Sequence, residues 1–199
     1  MTKNKTLNDL LYAETPDLAS LEALFSDANP ADRYALVCSL SGKDQARLWE
    51  LCDGQSVGLT HLVPEGTSTD QEVIHQGKNS LPVFSLFEKR FVRIPDTANE
   101  VYGYNEGSTR KFVGPGFFVA GMDDTEGTIG IDYYRVPPQD TSLPTGWPKI
   151  QVNEKGVSRF VYAKMIDYLR RVSPHVSVGR AVRKGKLTNN YFVLCRKES

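Results

Sequence analysis

Apolar positions over the first 55 residues recur every three or four places, the period of a helix with one buried face. Leu7, Leu10 and Leu11 follow Thr6, a residue suited to N-capping, and Pro16 closes that segment. Leu18, Leu21, Leu24 and Phe25 make a second stripe, capped by Thr15 with Pro16 at the first helical position. Tyr34, Leu36, Val37 and Leu40 form a third stripe after Asn29 and Pro30. Leu48, Trp49 and Cys52 form a fourth, opened by Ser41 with Asp44 three residues on and ended by Gly54. The spacing predicts four short helices with tight connections.

From Ser56 the texture turns β-branched and aromatic. Gly58–Val63 and Val73–Gln76 read as short strands. In KNSLPVFSLFEKRFVRIP, Phe84, Phe87 and Phe91 recur at three and four, Ser80 can cap, and Pro82 falls in the first turn, so a helix is expected. A strand would put Val83, Phe87 and Phe91 on one face, with Ser85 and Lys89 interrupting it. Glu100–Asn105, Arg110–Gly121 and Thr128–Val136 read as a three-strand antiparallel meander, followed by a proline-punctuated loop over Pro137–Pro148. Val157, Val161, Met165, Leu169 and Val172 predict another helix, with Asp167 pairing to Arg170 or Arg171 on its surface. The chain ends as a hairpin, His175–Arg183 and Tyr191–Cys195 around a KGKLTNN loop. The unbroken apolar run YFVLC implies that both faces of its strand are covered.

Helices, then a meander, a helix and a hairpin, make an α+β pattern. The expected architecture is a helical N-terminal region over 1–55 packed on an antiparallel-sheet domain over 56–199, with a small β-barrel carrying helical decoration as the alternative.

Composition changes this picture little. With 199 residues, 40% of them hydrophobic, the chain can bury a core without staples. Cys38, Cys52 and Cys195 are an odd number without metal-ligand spacing, so neither a disulfide framework nor a zinc site is expected. The N-terminus lacks the apolar core of a secretory signal, and no stretch approaches the ~20 apolar residues that span a bilayer. The expectation is a cytoplasmic protein without a membrane partner. Zero net charge hides an asymmetry: residues 151–199 carry eleven basic and three acidic side chains. Self-pairing with the acidic remainder is the simplest account, and a dedicated nucleic-acid binder is not favoured.

Candidate chemistry is sparse. The glycine-rich stretch 103–121, GYNEGSTRKFVGPGFFVAG, has neither the order nor the lysine of a phosphate loop, and no helix pattern follows it. Gly-Pro-Gly reads instead as a strand irregularity that shapes a core or opens a pocket. His61, His75 and His175 are scattered, and no nucleophile elbow is present. The HQGKN loop suggests non-catalytic binding of a small anionic ligand, with His75, Lys78 and Asn79 at its polar end and Tyr104, Phe117 and Arg135 along the pocket. One alternative is a protein or nucleic-acid interaction module using Arg170, Arg171, Arg180, Arg183, Lys184 and Lys186; another is an enzyme with His75 as general base. No cofactor or metal is expected, and oligomeric state stays open.

Overall fold

The computed structural model describes residues 5–95 and 97–198. Four helices come first: α1 (Leu7–Leu11), α2 (Leu18–Asp27), α3 (Pro30–Ser39) and α4 (Gly42–Leu51). Thr6, Asn29 and Ser41 cap three of them through their side chains, as the sequence suggests. The second is capped by Asp17 rather than Thr15, because its carboxylate reaches the Ser20 N–H. A short α5 (Leu59–Leu62) replaces the strand expected at Gly58–Val63.

Eight strands follow: β1 (Val73–Asn79), β2 (Leu86–Arg93), β3 (Glu100–Glu106), β4 (Phe118–Asp123), β5 (Thr128–Asp132), β6 (Met165–Arg171), β7 (Val176–Arg183) and β8 (Lys186–Arg196). Each pairs antiparallel with its neighbours in chain order, and β1 also pairs with β8. The sheet is therefore a closed up-and-down barrel with helical decoration rather than an open sheet, and closure leaves no unpaired edge.

Two expected helices are strands. Leu86–Arg93 is β2, with Phe87, Lys89 and Phe91 directed inward. Within 157–172, Met165–Arg171 is β6, with Met165, Asp167 and Leu169 inward; helix survives there only as α7 (Ser158–Val161). In both segments a buried charge breaks the apolar alternation that identifies a strand. The Arg110–Gly121 segment also divides: a helical turn α6 (Arg110–Val113), an irregular Gly-Pro-Gly stretch, then β4. Gly116 has φ +55, and a Cβ there would lie 2.6 Å from the Tyr162 ring. The C-terminal hairpin turns on Lys184-Gly185 alone, Arg183 pairing with Lys186, so most of the expected loop is strand.

Alternation along each strand gives the barrel an inner and an outer face. The first four helices cover one side from outside, where Leu21, Phe25 and Leu48 share a cluster with Val178, Val193 and Cys195. Phe192 and Leu194 belong to the interior cluster, so both faces of the YFVLC strand are indeed covered. At one end Val57, Leu62 and Val63 plug the interior. Among the described residues, no helix is long and apolar enough to cross a membrane.

Candidate functional site

The other end of the barrel is open. The β1–β2, β3–β4, β5–β6 and β7–β8 connections surround a mouth leading into a cavity of about 580 Å³. Its walls are largely apolar, supplied by Phe87, Tyr162, Met165, Ala181 and Phe192. Three inward glycines lie opposite phenylalanines on adjacent strands: Gly77 with Phe87, Gly103 with Phe118 and Gly179 with Phe192. A Cβ at each glycine would meet its partner ring within 2.7, 2.4 and 2.1 Å respectively. Each ring therefore lies flat across its neighbour strand, and those of Phe87 and Phe192 line the cavity.

The floor is polar. Lys89 from β2 is 2% exposed, and its ammonium donates to Asn105 Oδ1 at 3.0 Å, to Asp167 Oδ2 at 3.1 Å and to the Tyr133 hydroxyl. Tyr133 in turn donates to Asp167 Oδ2 at 3.2 Å, and Asn105 Nδ2 donates to the Gly116 carbonyl at 3.0 Å. The rings of Phe87, Phe118, Tyr133 and Phe192 surround the ammonium at 5.0 to 5.7 Å from their centroids. All three ammonium protons are thus met. Burial lowers the Lys89 pKa, and the Asp167 carboxylate pulls it back up. Burial, reinforced by Asp167, raises the Tyr133 phenol well above its ordinary value, so it stays a neutral donor.

Local structure fixes each member. Asn105 stands at the end of β3, where its own N–H bonds the Pro115 carbonyl at 2.7 Å. Tyr133 follows β5 and stacks on Tyr162 at 5.5 Å. Asn153 ties the long β5–β6 connection down by donating to the Phe117 and Tyr133 carbonyls at 2.7 and 2.9 Å.

The residues proposed from sequence do not converge on one place. His75 is fully buried near the plugged end, its Nε2 at 2.9 Å from the Leu62 carbonyl and its ring edge-on to Phe91. Lys78 points out of the barrel and donates to the Cys38 carbonyl of α3. Tyr104 and Phe117 pack outside, against Trp147 of the proline-rich loop. Arg135 forms a two-pronged ion pair with Glu100, partly exposed. Of these six, Asn79 alone lines the mouth, where its amide pins the β1–β2 connection through the Leu81 N–H and the Phe84 carbonyl.

The basic set also disperses. Arg170 pairs with Asp53 and lies over Trp49, and Arg171 pairs with Glu22. Arg180 donates to the Thr188 carbonyl. Arg183 donates to the Phe160 and Val161 carbonyls at the mouth, while Lys184 and Lys186 stand exposed beside it.

No protein-family model matches the chain, nor does any curated protein or solved structure. The mouth has to be read from its own chemistry. Among the described residues, no three His, Cys, Asp or Glu side chains gather as a metal site requires. Lys89, Asn105, Tyr133 and Asp167 are the residues the sequence reading missed. A usable signal existed for the ion pair: a lone charge within an apolar i, i+2 row, Phe87-x-Lys89-x-Phe91 and Met165-x-Asp167-x-Leu169.

Proposed function

We propose that the barrel reversibly binds one small, predominantly apolar molecule in the cavity at its mouth. The observation that carries this reading is the open cavity of about 580 Å³, apolar along its walls and polar at its base. Ligand sites are typically clefts of roughly 300–1,000 Å³ with a few convergent polar groups. The ligand class moves from the anion suggested by HQGKN toward a neutral molecule for an electrostatic reason. Lys89 is already matched by Asp167, and Lys78 is engaged outside the barrel.

The test is titration with Nile red, a neutral apolar dye whose emission reports its surroundings. The native chain is expected to saturate at one dye per chain. Ala181 faces the cavity from the position paired with Asp167, so Ala181→Trp should fill it and weaken dye binding by about tenfold or more. Absence of saturable binding, or an unchanged affinity in a cooperatively melting Ala181→Trp, overturns the proposal. Saturable binding of the anionic dye anilinonaphthalene sulfonate without Nile red binding would restore the anionic class.

A further inference from the structure

The outer rim of the mouth is apolar in a way the rest of the surface is not. Three of the four connections around it carry large exposed side chains, Val83 and Phe84, Phe112, and Phe160, and Leu187 adds another near the start of β8. Phe84 is 67% exposed, Phe112 83% and Phe160 64%. A ring of this kind on a soluble surface marks a contact site rather than chance exposure.

The rim is also built to hold these groups outward. Phe84 adopts φ +52, a left-handed conformation that a bulky L-residue avoids, and no burial of its ring compensates. The Asn79 amide secures that backbone through the Phe84 carbonyl. Phe160 is secured by Arg183, which donates to its carbonyl at 2.9 Å. Lys164 and Lys184, also at this end, are the other non-glycine residues with positive φ among those described.

Cations surround the apolar tips. Lys111, Arg159, Lys164, Lys184 and Lys186 are exposed at this end, and none has a carboxylate within ion-pair distance among the described residues. The β4–β5 turn at the opposite end carries Asp123, Asp124 and Glu126. The mouth's own carboxylates, Glu106 paired with Arg110 and exposed Glu154 beside Arg159, Lys164 and Lys184, are outnumbered by these cations, so the mouth carries an excess of positive charge.

We propose that the mouth docks on the surface of an anionic lipid bilayer, its phenylalanines entering the boundary between headgroups and acyl chains and its lysines and arginines meeting lipid phosphates and carboxylates. Apolar tips ringed by unpaired cations are the chemistry such an interface selects. No spanning helix is needed for a contact of this kind. The inference stands on the outer rim and goes beyond the cavity. Where the cavity reading also holds, docking places its opening on a reservoir of apolar molecules.

The experiment is co-sedimentation with phosphatidylcholine vesicles, with and without phosphatidylserine, at low and high salt. Binding is expected on the phosphatidylserine vesicles, weakened by salt and small on phosphatidylcholine alone. Replacing the three exposed rings together, F84S/F112S/F160S, should weaken binding by about tenfold or more while the thermal melt stays cooperative. Ala181→Trp, which blocks the cavity, should bind vesicles as the native chain does, so the two proposals fail separately. Failure of the folded native chain to bind anionic vesicles at low salt overturns docking, as does undiminished binding by the triple variant. So does a stable dimer that the triple variant abolishes, since a second copy would then cover the rim.

Discussion

Lys89 and Asp167 form an ion pair 3.1 Å long with side-chain exposures of 2% and 4%, inside a shell of aromatic rings. Burying two charges is costly unless every donor and acceptor is met, and removing one partner typically costs about 3–5 kcal/mol. Lys89→Met and Asp167→Leu should each destabilise the barrel by about that much in urea unfolding. The double variant should recover most of the loss, because an apolar pair strands no charge; additive losses would show that the two do not act as a unit. His61 and His75 behave differently. Burial holds both neutral, with pKa values lowered to about 3. The unfolded chain takes up protons near the ordinary value of 6.5, so stability is full above that pH and is lost as pH falls toward 3. Between pH 7 and pH 5 each histidine should cost about 2 kcal/mol, read as the difference in urea midpoints between the native chain and His75→Gln.

Element by element, the helices were legible and the strands only partly so. Thr6, Asn29 and Ser41 sit where capping needs them, and the leucine stripes of the first four helices show no competing period. β2 and β6 were misread because an inward charge stands in each row of inward apolar residues. Periodicity treats Lys89 and Asp167 as breaks; only the neighbouring strands show that each answers the other across the barrel. The sequence pattern gives Gly103 and Gly179 no role, yet each provides the flat patch on which a cross-strand phenylalanine rests. Gly179→Ala should therefore cost about 1–3 kcal/mol, since its methyl would meet Phe192 at 2.1 Å, with loss of a cooperative melt at the upper end of that range. An unchanged melt would show that the Phe192 ring moves freely aside.

For the molecule as a whole, barrel closure was readable only as the second of two architectures. Local pattern carries no record of the pairing between β1 and β8, which joins residues more than a hundred positions apart. The candidate site depended on that closure, since β2, β3, β6 and the end of β5 bring Lys89, Asn105, Asp167 and Tyr133 together. The plug at the far end has a kinetic consequence. With Val57, Leu62 and Val63 filling that end, the mouth is both entrance and exit for anything in the cavity. A partner or membrane that covers the mouth without touching the occupant slows capture and release by the same factor. Such a cover would leave the equilibrium constant of the proposed binding where it was and would set only how long an occupant stays.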